Sequence, residues 1–427
     1  MLYLTIIGGA FVTWLIVAML FTPHIPYHIE GSIDGRSDHF VHVLESTCQT
    51  HLQDGNDVDI FTNGDQFYPA MLEAIRSARE TINMECYIFK KGRIGDAFVH
   101  ALCERASAGV RVTLVMDAIG SFGAFRKLRK PLRAAGARVA AYQTFTWYRL
   151  SRLNNRTHRE LLVVDGTVAF VGGAGIADWW AGPTRRFRAR GFRPSGKPMW
   201  RDMMARIEGP VVSDIAGIVA ENWMECCGEI LTGVDTYKPD NRVGNVAAFA
   251  VKSSPADRAT ASRALYQTIV EGANGKVLIS TPYFLPDKAF RHAIRRTVAR
   301  GVQMTVVVPG RHTDQRWVRL ASRRMYGQML EAGVRIFEYE AGMTHVKMLL
   351  VDDLWAVIGT TNLDNRSFEH NDEVNLAVRD RSVTARLTRD FRCDVAHSRE
   401  ISLDAWRRRP VWEKLIGTVA WILERQQ

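Results

Sequence analysis

Two stretches of the chain, 187 residues apart, carry one pattern and restrict the fold more than any other feature. Residues 157–175 read THRELLVVDGTVAFVGGAG and residues 344–362 read THVKMLLVDDLWAVIGTTN, so that His158 aligns with His345 and Asp165 with Asp352. The repeat runs wider than these motifs. TINMECYIF (81–89) answers KVLISTPYFL (276–285), AGVRVTLVMD (108–117) answers RGVQMTVVVPG (300–310), and AGARVAAY (135–142) answers AGVRIFEY (332–339). Helix patterns lie between these apolar runs, which predicts an α/β unit with a mixed, mostly parallel sheet in each half. A repeat of this length is no solenoid unit and suits a duplicated α/β/α domain whose halves pack about a pseudo-twofold axis. One site at the seam would then take one His from each half. Tandem domains with separate sites are the competing reading, but the repeated residues include polar ones that a core alone would not demand.

The chain of 427 residues, 47% hydrophobic and 24% charged, is long enough for two ordinary domains and gives no sign of bulk disorder. Its net charge of +11 and pI near 9.5 favour an anionic partner: nucleic acid, an acidic membrane surface or a phosphorylated substrate. The six Cys lack metal-ligand spacing and read as free thiols. The first 22 residues carry no charged side chain, and as a helix they reach about 33 Å, enough for a bilayer core. This predicts an uncleaved transmembrane helix. A signal peptide competes, without basic residues before the apolar run or a clear cleavage site after it. No Lys or Arg cluster flanks the segment, so its orientation stays open. The predicted organisation is a membrane helix (1–22), a polar connector (23–55), a first half (56–235), a second half (236–400) and a C-terminal amphipathic helix (401–427).

Residues two apart on a strand face one side, so His345 and Lys347 meet the same ligand. Asp165 and Asp352 fall at bends between apolar strands, where they would hold local hydrogen bonds and neighbouring basic groups rather than react. The second copy resembles the signature of the phospholipase D superfamily, HxKxxxxD followed by a Gly-rich segment ending in Asn, through His345, Lys347, Asp352, Gly359 and Asn362. NGDQFYPAMLEAIRSA, RLNNRTH, RDMMARIEGPVV, STPYFLPD and GTTNLDNRSF further resemble the bacterial cardiolipin synthase branch. The resemblance covers most of the chain after about residue 55. It implies that an acidic residue beyond each signature orients a His; Glu373, 28 residues after His345, fits this role, and Asp202 is its equivalent in the first half.

A neutral imidazole suits attack on an anionic phosphodiester, giving a phosphohistidine, while a second His protonates the departing alcohol and deprotonates the incoming one. The intact second copy favours His345 as nucleophile and His158 as acid/base, although the superfamily offers both assignments, with Lys347 and Asn362 on the non-bridging oxygens, so that neither metal nor cofactor is needed. The first copy departs from the signature, with Glu160 for Lys and Gly175 for Asn. Three readings stay open. Arg159 or Arg201 takes over the phosphate while Glu160 pairs with a cation, Glu160 receives a cationic or hydroxylated head group, or the first half is weakened.

Partners follow from the flanks. In 405–426 a run of three Arg lies among Trp406, Trp412 and Trp421, with Leu415, Ile416, Val419, Ile422 and Leu423 at helical spacing, which suits an anionic membrane interface. A helix docked on the protein body is the alternative. The basic loop 183–198 could draw in anionic head groups or contact nucleic acid, but it has few aromatics on which bases could stack. The resemblance therefore implies a phosphatidyltransferase acting on anionic phospholipids, phosphatidylglycerol among them, at a bacterial inner membrane, with no nucleic-acid partner and an open oligomeric state. The alternatives are a metal-independent phospholipase D or nuclease and a lipid-binding scaffold with a weakened site.

Overall fold

Short runs of Val, Ile, Leu and Met bounded by Gly and charged turns form strands because branched side chains pack well on a pleated surface. A computed structural model of the chain describes residues 2–20, 27–143, 154–182, 199–233, 236–238, 241–255 and 260–424, with parts of the first and last helices described by backbone alone. The first half supplies β1 (Gln53–Thr62), β2 (Thr81–Cys86), β3 (Arg111–Asp117), β4 (Arg138–Tyr142), β5 (Arg156–Thr157), β6 (Leu161–Val164), β7 (Val168–Gly172), β8 (Trp200–Arg201) and β9 (Met203–Glu208). The second supplies β10 (Val246–Ser253), β11 (Lys276–Ser280), β12 (Gln303–Pro309), β13 (Arg335–Tyr339), β14 (Met343–Thr344), β15 (Met348–Val351), β16 (Trp355–Gly359), β17 (Asn371–Arg379) and β18 (Ser398–Ile401).

Sixteen of the described strands form one continuous sheet, ordered β18-β13-β12-β11-β15-β16-β17-β10-β1-β9-β7-β6-β2-β3-β4, with β5 added on β17. The order is a palindrome about the antiparallel contact of β1 with β10, and β9, β7, β6, β2, β3 and β4 mirror β17, β16, β15, β11, β12 and β13. The expectation of a mostly parallel sheet is corrected. Apart from β5 on β17, parallel pairing within this sheet is confined to β2-β3-β4 and β11-β12-β13, and the remaining pairs are antiparallel. Helices such as Arg93–Ser107 and Lys288–Ala299 carry the crossovers that parallel neighbours need. By contrast, β6 and β7, like β15 and β16, are joined by three-residue turns, which permit only an antiparallel return.

One large buried cluster lies within each half and another is shared, with Val163 and Ile215 of the first half in the same apolar body as Met348 and Leu376 of the second. The connector is more than a tether. Its helix Asp38–Cys48 is capped by Ser37 and buries Phe40 and Leu44 completely against the second half, where Trp355 also donates to the Gly35 carbonyl at 2.7 Å.

At the N-terminus Leu2–Leu20 is one helix of 19 residues, about 28 Å long at 1.5 Å per residue. That is shorter than the span read from the sequence. Among the described residues no helix is long and apolar enough to cross a membrane, so the predicted span is not an observation of the structure. The C-terminal segment forms helices Leu403–Arg407 and Val411–Glu424, and it divides its aromatic residues between two surroundings. Trp406 donates to the Arg323 carbonyl at 2.6 Å and Trp421 packs on the cluster around Met325, whereas Val411, Trp412, Leu415 and Val419 face outward. The basic run 183–198 lies outside the described residues.

Candidate active site

The two signature histidines are positioned by the shortest strands. β5 pairs in parallel with the start of β17, setting Thr157 against Asp372, and β14 pairs in parallel with β8, setting Thr344 against Arg201. One residue further, His158 N–H donates to the Asp372 carbonyl at 2.9 Å and His345 N–H to the Arg201 carbonyl at 2.7 Å. The register therefore lays each His beside the acid of the opposite half. His158 Nδ1 lies 3.0 Å from both carboxylate oxygens of Glu373, and His345 Nδ1 lies 2.9 Å from Asp202 Oδ2. Both acids are fully buried. Asp202 also accepts from Trp180 Nε1 and the Met203 amide, each at 3.0 Å, while Glu373 accepts from the Thr360 hydroxyl and from Asn371 Nδ2. An acceptor fixed on Nδ1 leaves the Nε2 lone pair of each ring for chemistry.

The glycine that both copies carry before the variable segment has a steric origin. A Cβ on Gly359 would stand 2.2 Å from the Val374 carbonyl, and one on Gly172 would stand 2.4 Å from the Met203 carbonyl. Each contacted residue directly follows the acid, so this close approach sets the acid's distance from the cleft.

Lys347 is buried over its own His, with Nζ 3.0 Å from His345 Nε2 and 2.9 Å from the His345 carbonyl. Its aliphatic stem crosses to the first half, where a Cβ on Gly173 would lie 3.1 Å from Lys347 Cδ. Burial lowers the Lys347 pKa to about 8, against the pull of Asp202 and Glu373, which shows that the ammonium feels the acids behind both rings. Burial, then the Lys347 charge, lowers the pKa of His345 and favours its neutral form. The edge of His158 faces the Tyr87 ring, 5.2 Å between centroids, and Trp180 and Trp200 wall His345 at 5.5 and 5.1 Å.

Glu160 and Gly175 are coupled. Glu160 Oε1 accepts from the Ile88 amide at 3.2 Å, and a Cβ on Gly175 would stand 2.9 Å from that same oxygen and 2.7 Å from the Ile88 carbonyl. An Asn at 175 is excluded while this carboxyl and strand end hold their places. Burial raises the Glu160 pKa well above the carboxylate range, more than Ile88 and Lys347 lower it. Burial thus disfavours the charged form of this carboxyl and weakens its repulsion of a phosphodiester.

Other predicted residues fall elsewhere. Asp165 accepts from the amides of Arg79, Glu80 and Thr81 at 2.8–2.9 Å, and Asp352 from those of Asn274, Gly275 and Lys276 at 2.7–2.8 Å. Each ties a hairpin turn to the start of the neighbouring strand and holds no basic group in the cleft. Arg159 is turned to the opposite face, donating to the Ile218 carbonyl at 3.1 Å and Glu221 at 2.9 Å. Arg201 donates to Asp394 and to the Asp202 carbonyl, both at 2.9 Å. The structure therefore brings neither guanidinium to the site, which removes the reading that either takes over the phosphate. Asn362 is buried with Oδ1 lacking a partner among the described residues, as befits a side chain held ready for a ligand.

Several supporting residues escape sequence reading. Trp180, Thr360 and Tyr87 act through contacts that no local spacing reveals, although Thr360 and Trp180 lie inside or just beyond the repeated segments. Behind β5, Glu85 accepts from Thr157 and Asn222, and Asn222 also donates to Asp372 at 3.1 Å. Burial brings the Glu85 pKa up to about 7. This buried network braces the seam strand that carries His158.

Comparison with known proteins agrees with the geometry. Residues 71–181 and 266–395, one stretch in each half, match the family described as cardiolipin synthase, PLD-like domain. Cardiolipin synthase 1 of Bacillus anthracis is 30% identical over 394 residues, covering 89% of this chain and 74% of its own. Cardiolipin synthase A of Pseudomonas putida is 34% identical over 352 residues, covering 82% and 70%. The crystal structure of a phosphatidylserine synthase from Haemophilus influenzae Rd KW20 shares the fold, with a TM-score of 0.64 at 13% identity over 91% of this chain and 99% of its own. Two matched halves that each lend an acid to the other's histidine, together with relatives alike over most of their length, establish that the chain belongs to the cardiolipin synthase family of phospholipase D-like proteins.

Proposed function

We propose that the protein is a phosphatidyltransferase that moves a phosphatidyl group from one phospholipid to the hydroxyl of another. One observation carries this reading: two imidazoles are each held at Nδ1 by an acid from the other half, and the buried lysine beside His345 feels both acids. His345 is the nucleophile. Its Nε2 attacks phosphorus, the bond to the departing glycerol oxygen breaks, and His158 supplies the proton that oxygen needs. In the second step His158 takes the proton of the incoming hydroxyl, whose oxygen displaces His345 and restores the diester. Burial supports His345 in the nucleophilic role by keeping it neutral. Lys347, drawn from the ring to the incoming phosphate, and Asn362, donating through its Nδ2, hold the non-bridging oxygens. The donor is phosphatidylglycerol, as the resemblance implies, with glycerol released.

The palindromic strand order supports a pseudo-twofold relation of the halves. An uncharged helix at Leu2–Leu20 and the outward Trp412, Leu415 and Val419 support attachment at a bacterial inner membrane.

The test is to incubate the purified chain with defined phospholipids, and separately with single- and double-stranded DNA, without divalent cations. The expected product is a dimeric phospholipid, and acid-quenched protein should carry label on His345. Cleaved DNA with inert lipid would make the protein a nuclease, and label on His158 would exchange the two roles.

A further inference from the structure

Beside the cleft lies a cavity of about 880 Å³ that the histidines do not line. Its wall includes residues 364–366, directly beyond Asn362. Five cations converge on it. Lys288, Arg291 and Arg295 lie on one face of the helix Lys288–Ala299, with Arg324 and Arg366 among the remaining walls. Arg324 donates to the Thr418 hydroxyl at 3.2 Å and Arg366 to Asn154 Oδ1 at 3.0 Å, neutral acceptors that cancel no charge. The carboxylates on the wall are engaged: Asp287 pairs with Arg263 at 2.9 Å, and Asp364 caps the helix Asn365–Glu369 through the Ser367 amide at 2.8 Å.

The rest of the lining combines polar residues, His28, His292, Gln328 and Asn365, with an apolar wall. Leu285, Met325 and Trp421 belong to one buried cluster, and Trp421 sits on the helix whose other face exposes Trp412, Leu415 and Val419. Tyr27 also lines the cavity, held by Gln267, which donates to its carbonyl at 3.0 Å. Tyr27 is seven Cα steps from Leu20, so the cavity lies within about 25 Å of the end of the uncharged N-terminal helix, whatever path the chain takes. Positive charge, an apolar wall and this tether select an amphiphilic anion over a soluble one.

We infer that this cavity seats the acceptor, an anionic glycerophospholipid whose phosphate meets Lys288, Arg295 and Arg324 and whose acyl chains leave along Trp421 toward the exposed apolar stripe. The volume suits a head group with the first part of its chains. Placed beyond Asn362, it sets the acceptor's hydroxyl next to the cleft while the donor occupies the histidine pair. This assignment rests on the phosphatidyltransferase reading.

The experiment compares the full-length chain with the double variant Lys288→Glu/Arg295→Glu, both side chains being exposed, in vesicles of equimolar phosphatidylglycerol and phosphatidylcholine. Release of the donor's alcohol should stay within about twofold, while the ratio of lipid transfer to hydrolysis should fall about tenfold. An unchanged ratio, or a parallel loss of both activities, overturns the proposal. Calorimetry with dihexanoylphosphatidylglycerol below its micelle concentration separates the two readings. If the unaltered chain releases no alcohol at all, the phosphatidyltransferase reading fails, yet binding that weakens about tenfold on charge reversal still upholds the lipid site. Unchanged binding, or inorganic phosphate binding as tightly as the lipid, overturns it.

Discussion

Replacing Asp202 by Asn tests the crossing of acids between the halves. Asp202 is fully buried and accepts three N–H groups, from His345 and Trp180 on Oδ2 and from Met203 on Oδ1. An amide has one oxygen to offer them. If that oxygen faces His345 and Trp180, the new NH2 opposes the Met203 amide, and one buried donor loses its partner at a cost of about 1–3 kcal/mol. If the amide turns over, its NH2 donates to His345 Nδ1 and forces the proton onto Nε2, which removes the lone pair that attacks phosphorus. Either way the negative charge that stabilises a cationic imidazole is gone. A wrong tautomer or a lost partner at such a position lowers kcat by roughly 10³–10⁴, about 4–5.5 kcal/mol of barrier. The assay is phosphodiester turnover with two leaving groups, an alkyl alcohol and p-nitrophenol. With His345 as the proposed nucleophile, Asp202→Asn should be slow with both. Glu373→Gln, which impairs the acid His158, should be slow with the alcohol and largely rescued by p-nitrophenol, which leaves without a proton. Rescue of Asp202→Asn instead of Glu373→Gln, or a loss under tenfold, would refute the role of the crossed pairs.

Three further outcomes are expected. Lys347 gives up its proton at about 8 when folded but near its ordinary 10.5 when unfolded, so the unfolded state binds more protons between these values and this group's contribution to stability rises there. Transfer should therefore fall above about pH 8 while the urea midpoint, measured on the same samples, does not fall with it. Glu160→Gln should keep turnover within about threefold because burial already disfavours the carboxylate charge, and Glu160→Lys should lower turnover by placing a second ammonium near Lys347; a large gain for the Lys variant in a steady-state assay would show that the Glu merely weakens the grip. Phe40→Ala should cost about 3–5 kcal/mol in a denaturant titration, and an unchanged midpoint would return the helix Asp38–Cys48 to the status of a tether.

What could be read from the sequence depended on whether a residue's partner was local. Both histidines, Lys347 and Asn362 were legible because their pattern recurs at fixed spacing. So was the bend at Asp165 and Asp352, although not their three amides apiece, which come from the start of another strand. Strand periodicity accounts for Arg159: on one extended segment His158 and Glu160 share a side, and the residue between them faces away. Strand direction was legible where helices lie between strands and misread where three-residue turns join them. The crossing of acids was out of reach, since the bonds span 215 and 143 residues and follow the register of two-residue strands.

That crossing also decides what the departures in the first half mean. Had each half oriented its own histidine, loss of the Lys and Asn from the first signature could mark a half free to decay. Here the first half contributes Asp202 to His345 and takes Glu373 for its own ring, so neither ring is held unless both halves are docked. Changes at 160 and 175 affect only what lies in front of the rings, where Gly173 makes room for Lys347 of the other half. In the proposed reaction the phosphate grip therefore lies on one side of the seam, while the frame that orients the two imidazoles still needs both sides. A substitution in the first half that spares His158 but disturbs Asp202 should consequently silence a nucleophile carried by the second.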